Sequence, residues 1–430
     1  MSRAGGDSRP EGPERAASRY AWTVVALLWG VALLNYLDRQ MLSTMRPAMV
    51  GDIRELESAA NFGRLMAAFL WIYGLASPVA GLIADRVNRK WLITGSLAVW
   101  SGVTLAMGLA RDFDTLYALR AIMGLSEALY IPAGLALIAD YHQGATQSLA
   151  VGVHMTGLYA GQALGGFGAA VAHSLSWPRA FQAFGIAGIL YGLLLAVALR
   201  EHPEARSRPA PRSDGPAGER GGLASIGRSL GLLLGTVSFW VILFYFMAPS
   251  FPGWATKNWL PTLFSESLGF DMSRAGPIAT ITTAAASFVG VFAGGLLADR
   301  WIQRNLRGRI YTSAIGLALT VPALLAMGLG GGPGAAVGGA VLFGVGFGMF
   351  DANNMPILCQ FVSPRHRAAG YGLMNMAGVF AGAQVTKMLG ASTDAGHLGR
   401  DLALLALPVV IALALQLALL RPSVANKTCD

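Results

Sequence analysis

Charge is scarce in this chain: only 13% of its 430 residues are Asp, Glu, Lys or Arg, where a soluble domain carries about 25%. That shortage argues against a water-facing globule. Cysteine is scarcer still, with Cys359 in an apolar stretch and Cys429 near the C terminus, so neither a disulfide framework nor a cysteine-built metal cluster is expected. The six histidines, His142, His154, His173, His202, His366 and His397, fall mostly in loops. They form no metal-ligand or nucleophile–base grouping at one depth. No Walker, zinc, haem or dinucleotide motif is present, so ATP drive, a bound cofactor or metal, and enzymatic activity are not expected. A sensor would normally append a soluble output domain, and no stretch is long enough for one.

What the chain has is apolar sequence. Hydrophobic residues make up 54% of it, the mean hydropathy is +0.51, and the 55 glycines suit helices packed closely in lipid. A helix needs about 20 residues to cross the bilayer core. Runs of that length lie near 21–45, 62–84, 91–110, 115–140, 146–172, 179–199, 228–256, 275–298, 310–329, 334–360, 367–390 and 401–420. The reading is an all-α membrane protein of twelve transmembrane helices. Residues 1–20 are a polar tail rather than a signal peptide. Two six-helix bundles, 21–200 and 228–421, flank a Pro-, Gly- and Arg-rich linker at 201–227, and residues 422–430 form a second tail.

Basic residues fix the expected orientation. With both termini cytoplasmic, 21 Lys and Arg fall on the inner side and 8 on the outer, Lys257 among the latter; Arg39, Arg120 and Lys387 lie within spans. Such an inner excess marks cytoplasmic loops. It also accounts for the +9 net charge as membrane topology, so no nucleic-acid partner is expected.

The halves repeat. Gly81-Leu-Ile-Ala-Asp85-Arg86 follows the second span, and Gly295-Leu-Leu-Ala-Asp299-Arg300 follows the eighth, 214 residues later. Like-oriented repeats are the build of a rocking carrier. Gly81, Asp85, Arg86, Arg89 and Lys90 resemble the loop signature of the major facilitator superfamily, with Gly295, Asp299 and Arg300 as its second copy. The resemblance covers essentially the whole chain. It implies the major facilitator fold, two pseudo-symmetric six-helix bundles, and a gating role for these residues at a cytoplasmic hinge.

Function should then lie with ionisable residues inside the membrane, where each charge costs about 2.5–3.5 kcal/mol on insertion scales and so faces a cavity or a partner. The first span carries Asn35-Tyr36-Leu37-Asp38-Arg39, and the fourth carries Arg120 and Glu127 on one helix face. At 1.5 Å per residue, Asp38 and Arg120 lie roughly 8–11 Å from the outer helix ends, and Glu127 about 10 Å deeper. Depth alone permits an Asp38–Arg120 pair with Glu127 near the midplane. Within the superfamily, Tyr36, Asp38, Arg39, Tyr73, Arg120 and Glu127 resemble the anion:cation symporter family of hexuronate, galactonate and sialic acid carriers. That resemblance implies proton-coupled symport of a small organic anion, with Arg39, the tyrosines, Arg120 and polar groups of later helices on the carboxylate. Asp38 and Glu127, with Arg120, would carry proton coupling. Arg39 suits an anion site, being permanently cationic and bidentate.

Other stretches refine this. Gly124-Leu-Ser-Glu127-Ala-Leu-Tyr130 with Asn35–Arg39 also resembles the Spinster family of lysolipid carriers, the alternative reading. Asn258-Trp259-Leu260-Pro261 and Asn375-Met-Ala-Gly378 resemble the sugar-acid side, which adds Asn375 to the substrate site. In Gly157-x-x-x-Gly161-Gln162-x-x-Gly165-Gly166, Gln162 stands where antiporters of the superfamily carry Pro, and an amide there can face the cavity. Asp351, Asn353 and Asn354 in the tenth span, and His154 in the fifth, fit either a functional role or hydrogen-bonded helix contacts; Lys387 sits where snorkelling explains it. The expected setting is the inner membrane of a bacterium, with the chain a multi-pass monomer.

Overall fold

The computed structural model describes residues 13–142, 146–202, 231–363 and 366–422; the expected linker, apart from its first two residues, and most of both tails lie outside them. The first half contains α1 (Pro13–Met49), α2 (Ala59–Arg86), α3 (Arg89–Met107), α4 (Phe113–Ala128), α5 (Tyr130–Tyr141), α6 (Gln147–Gly165), α7 (Gly168–Leu175) and α8 (Trp177–Ala198). The second half contains α9 (Val237–Leu268), α10 (Met272–Ile302), α11 (Gly308–Leu329), α12 (Pro333–Asp351), α13 (Asn354–Phe361), α14 (Arg367–Asp394), α15 (Leu398–Leu404) and α16 (Ala406–Leu419).

Nine helices or end-to-end helix pairs among the described residues are long and apolar enough to cross a membrane. At the other three expected positions stand α3, the α6–α7 pair and α14. These carry more Gly and polar residues. Side chains at the ends set the boundaries. Ser58, Asn88 and Asp112 accept hydrogen bonds from the backbone N–H of Asn61, Trp91 and Thr115 at the starts of α2, α3 and α4, which satisfies donors no helix can use internally. Gly269, with φ of 62°, ends α9 in the left-handed region open to glycine.

The seventh expected span, 228–256, is corrected. Its helix runs from Val237 to Leu268 through Pro249, Pro252 and Pro261, because carbonyls freed by proline can be satisfied by neighbouring helices and hydroxyls within a bundle. Pro261 frees the Lys257 carbonyl oxygen, which accepts from Gln40 Nε2 of α1 at 2.7 Å. The shift moves Lys257 from an outer loop into the helix. The fourth and tenth spans are each broken, at Leu129 and at Ala352–Asn353.

In the first half α1 packs on α6 and α3 on α8; in the second, α12 packs on α10 and α11. The α1–α6 contact rests on glycine. A Cβ on Gly161 would stand 2.2 Å from the Leu33 carbonyl oxygen, and one on Gly157 2.7 Å from that of Trp29. The Gly157–Gly166 stretch therefore brings two backbones into contact, as small residues do between helices in lipid.

Between the halves, α2 meets α14 and α6 meets α10. Hydrogen bonds join them toward the end carrying the α1–α2 connection. There the Asp394 carboxylate accepts from Ser58 Oγ at 2.8 Å and from the N–H of Ala59 and Ala60 at 2.6 and 2.9 Å. Gln40 Nε2 donates to the Lys257 carbonyl oxygen at 2.7 Å, and Thr280 Oγ1 to that of Ala163 at 3.0 Å. Toward the opposite end Trp71 meets Phe380, ring centroids 5.1 Å apart, and beyond it Gly81 and Gly295 face open space. The bundle is latched at the α1–α2 end.

Candidate substrate and coupling site

Arg39 leaves α1 toward the break between α4 and α5. Its Nε donates to Glu127 Oε2 at 2.5 Å, and Asn35 Nδ2 donates to the same oxygen at 2.9 Å. The guanidinium also stands 5.1, 4.7 and 4.7 Å from the ring centres of Tyr36, Phe69 and Tyr73. Three ring faces and one carboxylate thus hold a cation inside the bundle, and Glu127 is fully buried. Such a pair survives because each charge offsets the other's desolvation.

The expected Asp38–Arg120 pair is corrected. Asp38 Oδ2 instead accepts from Thr104 Oγ1 at 3.3 Å. Arg120 lies over Phe69, 4.9 Å from its ring centre, with Nη1 3.1 Å from Met123 Sδ. Depth alone could not find this arrangement, since it does not say which way the long Arg39 side chain reaches, and that side chain takes Glu127 on α4. Several buried polar atoms here have no hydrogen-bond partner: Asp38 Oδ1, Glu127 Oε1, Arg39 Nη2 and Arg120 Nε. Each acid therefore keeps one oxygen able to accept a proton, and Arg39 keeps one amino group able to meet an anion.

Beside this cluster lies a cavity of about 270 Å³ between the halves. The first half contributes Tyr36, Tyr159 and Gln162, and the second contributes Thr256, Lys257, Thr283, Ser287, Phe343, Phe347 and Asp351. Tyr36 and Gln162 thus stand on the cavity wall, and Tyr73 packs against Arg39. Asp38, Arg39, Tyr73, Arg120, Glu127 and Asn375 are not among the lining residues, and Asn375 sits half-buried on α14. Sequence reasoning missed Lys257, Phe69, Thr104 and the aromatic wall. Charge within an apolar run was the available signal for Lys257, but the expected span ended at 256 and left it in an outer loop. His154 is fully buried, edge-on to Tyr130 at 6.0 Å, and lies off the cavity wall.

The loop residues take up pairings of their own. Arg89 donates to the Asp140 carboxylate and to the Ala136 carbonyl oxygen, tying the start of α3 to α5. In the second half Arg309 approaches Asp299 at 4.0 Å. Arg86 and Arg300 are exposed, and Asp85 lies in the last turn of α2.

The comparisons with known proteins agree with this architecture. The chain is 24% identical over 290 residues to the hexuronate transporter of Bacillus subtilis (strain 168), 66% of each protein, so it spans about two thirds of that relative's length. It is 25% identical over 397 residues to the 4-hydroxybenzoate transporter PcaK of Acinetobacter baylyi (strain ATCC 33305 / BD413 / ADP1), 84% of this chain and 83% of that one. A probable galactarate/D-glucarate transporter, GudP of B. subtilis (strain 168), is 24% identical over 319 residues, 66% of each. In fold, the chain is similar to the inward-facing, unoccupied crystal structure of a bacterial homologue of the human lysosomal transporter Spinster. The TM-score is 0.75 at 21% identity, covering 92% of this chain and 96% of that one. The profile of the Major Facilitator Superfamily matches residues 28–384, and the chain belongs to that superfamily of membrane transporters.

Proposed function

We propose that this transporter carries a small organic anion together with protons, by alternating access, across the cytoplasmic membrane of a bacterium. The observation that carries the reading is the Arg39–Glu127 ion pair at 2.5 Å, set beside the cavity with Tyr36 shared between them. While Glu127 is ionised it holds Arg39. A proton on Glu127 removes that competition, and the guanidinium then takes the carboxylate of a substrate in the cavity. Proton and anion bind together because each favours the state the other needs, which is the thermodynamic content of symport. Asp38, with its free oxygen, is the second acid able to join this exchange, and Arg120 beside them sets the local potential.

Both termini are cytoplasmic in this reading, following the basic loops. The latch made by Asp394, Gln40 and Thr280 then closes the outer side, and the cavity communicates with the cytoplasm. Gly81, Asp85, Arg86, Arg89, Asp299 and Arg300 form the hinge region of the inner side. The protein works as a monomer.

Curated relatives that transport hexuronate, galactarate/D-glucarate and 4-hydroxybenzoate support an organic anion, with a sugar acid as the leading substrate. The Spinster-like alternative, a lysolipid or other amphiphile, fits less well. Ligand pockets run from about 300 to 1,000 Å³, and a cavity of about 270 Å³ suits a compact anion.

The test is substrate-induced proton movement. Adding glucuronate or galactarate outside vesicles that contain the protein and a trapped pH dye should acidify the lumen. A lumen that stays at constant pH while labelled substrate enters would remove the coupling.

A further inference from the structure

The N-terminal pair of base and acid has a counterpart in the other half that neither the sequence reading nor the proposed coupling scheme uses. Lys257 follows Arg39 by 218 residues and Asp351 follows Glu127 by 224, close to the 214-residue offset of the loop repeat. The structure preserves the correspondence. Arg39 lies on the first span and Lys257 on the seventh, its equivalent. Glu127 sits where the fourth span breaks, and Asp351 is the last residue of α12, where the tenth span breaks.

The two pairs differ in one respect. Arg39 and Glu127 are in contact, whereas Lys257 and Asp351 form no ion pair and both line the cavity. The Lys257 ammonium stands 5.0 Å from the Trp254 ring centre and 5.9 Å from that of Tyr36, with no carboxylate in contact. Such ring faces hold a cation without using its hydrogen bonds. Asp351 is fixed on one side only: Asn354 Nδ2 donates to its Oδ1 at 3.2 Å, Tyr245 Oη donates to Asn354 Oδ1 at 3.2 Å, and Ser313 Oγ lies 2.6 Å from Tyr245 Oη. That chain engages Oδ1, and Asp351 itself stands on the cavity wall. Along the same wall lie the stacked rings of Phe343 and Phe347, centroids 5.6 Å apart.

We infer that Lys257 and Asp351 form a substrate subsite for a hydroxycarboxylate: Lys257, which meets the same Tyr36 ring as Arg39, shares the carboxylate with Arg39, and Asp351 accepts a hydrogen bond from a hydroxyl on the ligand body that rests against Phe343 and Phe347. The inference rests on the organic-anion reading above and adds a specificity element to it. An ammonium and a carboxylate kept apart in one cavity recognise a ligand with an acceptor at one end and a donor at the other. A ligand that strips water from either group without matching it binds at a cost, which gives polar sites their selectivity. Sugar acids and hydroxylated aromatic acids share this chemistry.

The test measures binding to the full chain in lipid nanodiscs by calorimetry, with two ligand pairs. One pair is 4-hydroxybenzoate and benzoate; the other is glucuronate and tetrahydropyran-2-carboxylate, which lacks the hydroxyls. The hydroxylated member of at least one pair should bind the unmodified protein better, and the pair that does so identifies the ligand body. Lys257→Gln should weaken that binding about 10- to 100-fold, the worth of a charge-assisted hydrogen bond, and Lys257→Arg should restore most of it. Asp351→Ala should erase the preference for the hydroxylated member, and Asp351→Asn, which keeps the side-chain shape, should reduce it. Lys257→Gln binding like the unmodified protein overturns the subsite, as does Asp351→Ala with its preference intact. Normal binding with slowed transport in both variants also overturns it, by making the residues a gate. If Arg39→Ala loses binding while Lys257→Gln keeps it, only the subsite fails. If the unmodified protein binds none of the four acids, the organic-anion reading fails with it.

Discussion

Glu127→Gln should separate substrate binding from proton coupling. In the structure Glu127 Oε2 receives both Arg39 Nε at 2.5 Å and Asn35 Nδ2 at 2.9 Å, so the carboxylate is the counter-charge of a buried guanidinium. Two unit charges about 4 Å apart attract by roughly 4 kcal/mol at an effective dielectric constant of 20. An amide keeps the shape and one acceptor oxygen but loses that attraction. Breaking one side of a buried pair typically costs about 3–5 kcal/mol, so the empty variant should unfold at lower temperature than the unmodified protein. A bound carboxylate restores the missing counter-charge to Arg39, and substrate should therefore raise the unfolding temperature more in the variant. Counterflow, which needs binding and reorientation but no net proton movement, should persist. Accumulation against a gradient should vanish, because the amide cannot cycle a proton. Thermal unfolding with and without glucuronate, counterflow, and gradient-driven uptake on one preparation give all three readings. Full accumulation by Glu127→Gln would refute the assignment and pass the role to Asp38, whose Oδ1 has no partner.

Further substitutions probe the remaining parts. Arg39→Ala should abolish substrate binding at every pH, as read by calorimetry from pH 5 to 8 (a range chosen to cross about one unit either side of a neutral-range coupling group). Asp85→Asn should slow interconversion of the two access states while leaving affinity nearly intact, which stopped-flow transport set beside equilibrium binding will show. Asp394→Ala removes three hydrogen bonds from the α2 start; at about 1.5–3 kcal/mol for a charged acceptor, spin-label distances across that end should lengthen and broaden. Gly161→Leu should prevent folding, since even a Cβ there stands 2.2 Å from the Leu33 carbonyl oxygen; a monodisperse, transport-competent variant would refute the close α1–α6 contact.

The architecture was legible because lipid imposes simple rules. Apolar runs of bilayer length and the Gly81–Arg86 and Gly295–Arg300 repeat need no tertiary information. Membership of the central cluster was legible too, since intramembrane charge is costly enough that each such residue stands out. The partners were not. Pairing Asp38 with Arg120 used depth alone, which does not give the direction of a side chain, whereas Arg39 reaches Glu127 and Asp38 accepts from Thr104. Lys257 was hidden for a different reason. The expected span ended at 256, one residue before it, yet α9 continues through Pro261 to Leu268, because lipid-embedded bundles supply the hydrogen bonds that water supplies to a loop. Residues that act through their faces, Phe69 under two guanidiniums and Phe343 stacked on Phe347, leave no sequence mark that separates them from ordinary packing.

The central claim is that anion and proton move together in one direction. The most direct measurement loads vesicles at one pH, dilutes them into a buffer about one unit more acidic, and follows labelled glucuronate or 4-hydroxybenzoate inward. The account predicts accumulation above the external concentration, collapse of that accumulation on adding a protonophore, and loss of both in Glu127→Gln. Uptake that only equilibrates, indifferent to the gradient and to the protonophore, would contradict it.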